Sequence, residues 1–391
     1  MFIIFIFGTI FLIWGIIEQI NHLKRVKKIP IRIHVNGTRG KSTTSRLIAA
    51  GLREAGFKVL AKTTGTLPRL ILEDGSEIPI KRRGNANISE QIKIFAEAVK
   101  RKANVLVLEC MAVNPEPQWV SEHKIVKSTI GVITNVREDH LEDIGAGLAN
   151  TANTLKLTIP QNGILVTAEQ KYLPIFKEQA DKLKTRIICA DPDSISDEVI
   201  DKFSYMNFKE NVSIALEVNR LLGVKEEVAI RGMLKTDPDP GALKIYKLSK
   251  YNKVLFFVNA FASNDRSSTL LIWENINKNS NLNNLPKIGI INNREDRVLR
   301  SVQFAHILAK EILLSKIILV GPISKLTERT LLKLKVSPNN IINLGKLTDP
   351  EKVLDIVLKF FNEKGVLLGL GNTKGMGQKL IEYFDKFGEV I

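Results

Sequence analysis

Apolar positions fall along this chain in three patterns. Residues 1–17, MFIIFIFGTIFLIWGII, form a run with no charged side chain and no polar face. As a helix this run spans roughly 25 Å, close to the ~30 Å of a bilayer core. Short apolar runs bounded by turns follow at 31–35, 57–61, 105–108, 129–134, 163–167 and 185–190. Stretches with helical spacing, 41–55, 88–102 and 208–222, separate several of them. Continuous rather than alternating apolar strands predict a parallel sheet covered by helices on both faces. Asp237-Pro238-Asp239-Pro240-Gly241 breaks the pattern and reads as a boundary. Beyond it the alternation resumes, with strands expected at 254–258, 288–291, 317–320, 341–344 and 366–370. The fold class is therefore α/β, with an N-terminal transmembrane helix and basic flank (1–28), a central domain (29–238) and a second parallel α/β, Rossmann-like domain (239–391).

Charge adds direction to this outline. Lys24, Arg25, Lys27 and Lys28 follow the apolar run, so the positive-inside rule predicts a single-pass protein of the cell membrane with its body in the cytoplasm. A cleaved signal peptide carries its positive charge before the apolar run, and none stands there. Two cysteines, Cys110 and Cys189, make no disulfide framework. The net charge of +16 predicts attraction to polyanions, although the lysines are scattered and a Lys-rich composition accounts for it equally. Nucleic acid is not expected as a partner, because with 6% aromatic residues the basic clusters lack stacking platforms.

Candidate chemistry begins at residues 31–44, IRIHVNGTRGKSTT. A β-branched strand runs into a glycine turn and then a helix start. Gly37 and Gly40 let the backbone curl, Thr38 and Arg39 lie between them, Lys41 adds charge at the helix N-terminus, and Ser42 or Thr43 offers a hydroxyl to a metal ion. This is a P-loop-like phosphate cradle. The strict pattern needs a glycine where Val35 stands, so only a shorter form, GTxGK[ST][ST], is present. The run 105–108 ends in Glu109, a carboxylate at the carboxyl end of a strand, where open α/β sheets bind ligands and where magnesium finds a ligand. Thr64 lies in a hydroxyl-rich turn. Lys81, Arg82 and Arg83 precede Asn85 and read either as an anion-binding cluster or as a solvated charge run. His140 follows a buried strand amid acidic residues in TNVREDHLE. Lys156 has no role assignable from its surroundings. No CxxC or HExxH spacing supports zinc.

In this order, GTRGKST (37–43), TTGT (63–66), Glu109, TNVREDHLE (134–142), KLTI at Lys156, Asn211 in FKENVSIAL and NAFASND (259–265) resemble the Mur ligase superfamily, which includes the muramyl peptide ligases and folylpolyglutamate synthases. KRRGNANISEQ, INNREDR, GLGNTKGMG and the apolar helix feeding directly into the loop look most like the ligase subunit of bacterial poly-γ-glutamate synthases.

The resemblance implies a central ATPase domain and an ATP-dependent γ-glutamyl ligase acting through an acyl phosphate. It implies ATP and Mg²⁺ as cofactors, glutamate and a poly-γ-glutamate chain as substrates, and small membrane subunits of an export complex as partners; a homo-oligomer is left open. Gly37 to Thr43 then hold phosphates. Ser42, Glu109, His140 and a carbamylated Lys156 hold metal, and Asn211, Asn264 and Arg294 approach the nucleotide. Thr64, Lys81, Arg82, Arg83 and Asn85 meet the substrate. The chain departs from the superfamily at Ala242, where an Arg often follows the interdomain glycine, and at Asn259 and Ser263 in the second-domain turn. A folylpolyglutamate-type ligase is the enzyme alternative, with the apolar helix against it. A P-loop transport ATPase needs the strict loop and a Walker B aspartate, neither evident.

Overall fold

A computed structural model describes residues 2–64, 68–82, 87–137, 147–203, 205, 207–238, 243–263 and 265–391. The chain divides into two compact units, 1–203 with 207–240, and 204–206 with 241–391.

Helix α1 (Phe2–Lys28) opens the first unit. Its segment Phe5–Lys28 is long and apolar enough to cross a membrane by length and composition. Phe5, Phe7 and Trp14 are more than half exposed, so the unit's own core does not use them. The last turns behave differently. Val26 and the following Ile29 are buried in a cluster with Phe95, Leu106 and Val126. His22 lies edge-on to Phe95 with centroids 5.2 Å apart, and its Nε2 is 2.8 Å from the Ile125 carbonyl. The end of this helix is therefore part of the first unit's core.

The first unit is built on an eight-stranded sheet of β1 (Ile31–Asn36), β2 (Val59–Lys62), β3 (Arg69–Ile71), β4 (Glu77–Pro79), β5 (Val105–Glu109), β6 (Ile130–Ile133), β7 (Ile164–Thr167) and β8 (Arg186–Cys189). The order is β4-β3-β2-β5-β1-β6-β7-β8. The hairpin expected at Asp74-Gly75 joins β3 and β4, which pair antiparallel, and β3 also runs antiparallel to β2; the remaining pairs are parallel. β5 is apolar up to Glu109 and buried along its whole length, and β1 buries Ile33 and Val35 beside it, as expected of central strands in a parallel sheet. The covering helix α2 (Lys41–Glu54) buries Leu47, Ile48 and Leu52, each worth about 1.5–3 kcal/mol of transfer free energy. At Gly232 a side chain would meet the Ala50 carbonyl oxygen at 2.5 Å, so the helix Glu226–Leu234 packs against α2 at backbone distance.

The second unit holds a seven-stranded sheet of β9 (Ile245–Lys250), β10 (Lys253–Asn259), β11 (Lys287–Asn292), β12 (Lys316–Val320), β13 (Ile341–Gly345), β14 (Lys364–Gly371) and β15 (Glu389–Val390). All five expected strands are present, but the sheet is mixed rather than parallel. β9 pairs antiparallel with β10, and β15 with β9. β9 (IYKLSK) alternates buried and exposed, the period of a strand with one wet face, which a search for continuous apolar runs passes over. The glycine-rich run 369–377 begins in β14, which lies mid-sheet between β11 and β10, and ends in the first residues of the helix Met376–Phe387. Phe257 and Phe384 stack at 4.3 Å in this unit's core.

Candidate functional site

β1 lies between β5 and β6, and the loop that follows it opens at the carboxyl ends of all three strands. That is where doubly wound sheets place their ligands.

The two loop glycines are there for space. Gly37 has φ +127°, and a Cβ on it would lie 2.1 Å from Thr134 Oγ1. Gly40 has φ +80°, and its Cβ would lie 2.3 Å from Asn211 Oδ1. The turn is thus clamped from two sides. Thr134 Oγ1 donates to the Arg39 carbonyl (2.6 Å), and the Thr38 amide donates to the Asn135 carbonyl (3.1 Å). Asn135 reads Arg39 with its whole side chain: Oδ1 accepts from the Arg39 amide (3.0 Å) and Nδ2 donates to its carbonyl (3.2 Å). Thr38 Oγ1 accepts from the Arg137 amide at 3.0 Å. Arg137 pairs with Glu210 at 3.0 Å, one residue before Asn211 on the helix Lys209–Leu221. Asn211 is buried and accepts from Thr44 Oγ1 at 3.3 Å.

This geometry narrows the expected cradle. Not all of its amides face a ligand: those of Thr38 and Arg39 are held by Asn135. The first intrahelical bond of α2 is Thr44 N to Gly40 O, so the amides of Lys41, Ser42 and Thr43 are the helix-start donors that precede it. In the sequence Thr134 and Asn135 stand out only as part of the run leading to His140. Their signal was a Thr-Asn pair directly after a buried strand, since an Asn side chain can both accept from and donate to a turn.

Charge gathers on the next strands. Lys41 Nζ donates to the Gly37 carbonyl (2.7 Å) and the Thr38 carbonyl (3.2 Å), arching over the turn. Glu109 Oε2 accepts from Ser42 Oγ (2.8 Å) and from the Thr64 amide (2.6 Å). The structure therefore brings Lys41, Ser42, Glu109 and Thr64 together. Ser42 and Glu109 present hard oxygen donors side by side, the chemistry that a hard divalent cation takes. No group of three or more His, Cys, Asp or Glu converges among the described residues.

Other expected residues stand apart. His140, Asn264, Arg83 and Asn85 lie outside the described residues. Lys156 opens a short helical turn, and its charge acts on Glu178 of the helix Leu173–Leu183. Two residues on, Thr158 accepts from Asn36 at the end of β1 (3.0 Å). Arg82 is forked onto Glu90 at 2.8 and 3.1 Å, so its charge is spent within the fold, whereas Lys81 is exposed. Arg294 pairs with Asp296 at 2.6 Å.

One buried cation was not anticipated. The Lys62 side chain is fully buried, with Nζ 2.8 Å from Glu90 Oε1. Burial pushes its ammonium below the usual lysine range, and Glu90 opposes this. Beneath the site, His34 on β1 lies 2.8 Å from Glu122, whose other oxygen accepts from the Ser128 amide and hydroxyl. Burial works against the His34 imidazolium, but Cys110 and Glu122 together raise it to about 10.

The Mur ligase middle domain matches residues 35–232, and the poly-gamma-glutamate synthase CapB C-terminal domain matches residues 245–387. A capsule biosynthesis protein CapB from Bacillus anthracis is 42% identical over 384 residues, 97% of this chain and 82% of that protein. A PGA synthase CapB from Bacillus subtilis (strain 168) is 40% identical over 390 residues, 99% of this chain and 98% of that one. Among solved structures, E. coli FolC in complex with DHPP and ADP superposes with a TM-score of 0.66 at 14% identity, covering 94% of this chain and 92% of that one. At that identity the likeness concerns the fold.

Proposed function

The chain belongs to the Mur ligase family, in the group of the CapB proteins, and from this premise we propose that it joins glutamate into poly-γ-glutamate at the expense of ATP. It is an ATP-dependent amide ligase. One observation carries the reading: identity of about 40% to two CapB proteins runs through both units rather than through the ATP-binding unit alone.

The chemistry follows from the site. A carboxylate is a poor electrophile, being anionic and lacking a leaving group. In the first step a terminal carboxylate oxygen bonds to the γ-phosphorus of ATP, the bond to the β,γ-bridging oxygen breaks, and ADP leaves. In the second, the amine of the incoming glutamate bonds to the acyl carbon, loses a proton, and phosphate departs with its electron pair. Lys41, released from the Gly37 and Thr38 carbonyls, offsets phosphate charge, and the amides of residues 41–43 orient the phosphate oxygens. Glu109 and Ser42 would hold the divalent cation, proposed as Mg²⁺, which supplies charge neutralisation between neighbouring phosphates. Asn211 keeps Gly40 in its left-handed turn and so sets the direction from which the nucleotide is approached. His140 and a carbamylated Lys156 remain proposed as further metal support, and Lys81 as a guide for the polyanionic chain.

The exposed apolar surface of α1 supports a bilayer anchor, with the catalytic body on the cytoplasmic side and small membrane subunits as partners. Membranes carrying the protein and its partners are incubated with ATP, Mg²⁺ and labelled glutamate, and γ-linked polymer is measured. Polymer that depends on Lys41 supports the reading; an equal yield from Lys41→Ala sinks it.

A further inference from the structure

Lys62 is the last residue of β2 and pairs in parallel register with Leu108, one residue before Glu109. The turn it leads into donates the Thr64 amide to Glu109. Its ammonium is therefore built into the same strand ends as the phosphate loop, yet it makes no described hydrogen bond to Gly37–Thr43.

Its partners leave a charge over. An ammonium has three N–H donors. Among the described residues they meet Glu90 Oε1 at 2.8 Å and the Met111 thioether sulfur at 3.3 Å, and a thioether is a weak acceptor. Glu90 is shared, because Arg82 forks onto the same carboxylate. Two cations thus share the one carboxylate they contact, and Glu109 acts on Lys62 only through space. Glu90 is also the first residue of α3 (Glu90–Lys100), whose first amides are already bonded to the Asn87, Ile88 and Ser89 carbonyls. A buried cation without a full counter-charge is costly, and retaining one beside the reacting centre needs a compensating anion. Phosphate oxygens are served by the loop. The anion left in this chemistry is a carboxylate.

We propose that Lys62 binds a carboxylate of the terminal residue of the acceptor chain, which takes the place of the Met111 sulfur and completes the charge balance of the Lys62–Glu90–Arg82 cluster. This rests on the ligase reading above. Met111 is partly exposed and unbranched, so it can swing aside without disturbing β5. The acceptor end then lies beside Glu109 and Ser42, where its activation occurs.

Two variants of the full-length membrane protein test this, with a short γ-glutamyl oligomer as probe and ADP release as readout. Lys62→Met removes the charge with little change in shape. The KM for the oligomer is expected to rise roughly 10- to 100-fold, the equivalent of a hydrogen bond to a charged group, while the KM for ATP stays within about twofold. Met111→Glu supplies an internal carboxylate to Lys62. If Lys62 were only structural, this variant would be better paired and kinetically normal; as a competitor it raises the oligomer KM in the same direction. An unchanged oligomer KM in either folded variant overturns the proposal. Should Lys62→Met fail to fold, Met111→Glu alone decides. A wild-type protein that releases no ADP in response to the oligomer defeats the ligase reading itself, and this inference with it.

Discussion

The carboxyl ends of the two sheets use the same residue types to opposite ends. In the second unit, polar strand ends close on one another. Asn292 Nδ2 donates to the Asn372 and Lys374 carbonyls, and Asn372 Nδ2 returns a bond to the Asn292 carbonyl at 3.0 Å. Asn293 is held by Val320 and Thr327. Gly371 has φ +95° because a Cβ would lie 2.7 Å from the Asn292 carbonyl oxygen. In the first unit, Asn135 closes the turn in the same way, but Lys41, Ser42, Glu109 and Lys62 add charged and hydroxyl groups, and their described partners are loop carbonyls, the Thr64 amide, one another, a sulfur and a Glu90 already shared with Arg82. Asn and Gly at a strand end shape the backbone; what distinguishes a reactive strand end is charge held there with weak partners.

The sharpest way to break that contrast is Lys41→Ala. Turnover is expected to fall roughly 10²- to 10³-fold, as for loss of one transition-state charge contact, with the melting temperature little changed. Labelled-glutamate incorporation and a thermal melt check both. Gly40→Ala comes next. The left-handed φ and the clash with Asn211 should cost about 2–3 kcal/mol, and a denaturant titration should find part of it restored in Gly40→Ala/Asn211→Ala. Asn135→Ala leaves the Arg39 amide and carbonyl unpaired, for about 1–3 kcal/mol of stability together with weaker nucleotide binding by calorimetry. Asn372→Ala should cost a similar ~1–3 kcal/mol in the second unit while leaving the oligomer KM of the folded enzyme unaltered. A raised KM there would remove the distinction between closed and open strand ends.

The smallest effect concerns His34. Its folded value of about 10 exceeds the ordinary value near 6.5. A raised histidine contributes stability that is full below about 6.5 and fades as pH climbs through 10. The melting-temperature gap between wild type and His34→Gln should therefore be widest at mildly acid pH and shrink steadily toward pH 10. A gap that widens on the alkaline side would contradict the pairing with Glu122.

Much of the frame was legible because buried parallel strands are continuous apolar runs, and Glu109 could be picked out because it ends one of them. β9 was missed because its alternating exposure follows another period. Lys62 was missed for a different reason. A lysine at the end of an apolar run looks like an ordinary solvated strand end, and its burial depends on Glu90 and Arg82, 28 and 20 residues further along the chain. For the same reason the sequence could not choose between an anion-binding and a solvated reading of Arg82. A cluster of basic residues reads as free charge until the fold supplies its carboxylate.

Helix α1 carries a consequence for how this body meets its surroundings. Its apolar segment and its docked end are one uninterrupted helix, with His22, Val26 and the adjoining Ile29 seated among Phe95, Ile125 and Leu106. With the apolar segment in a bilayer, the first unit stands on a post rather than on a leash. It cannot drift or tumble at the surface, so the mouth of its phosphate loop keeps one height and one bearing above the lipid. A growing chain would be met at a fixed station, and lengthening the helix by single residues near Asn21 would turn that station about 100° at a time.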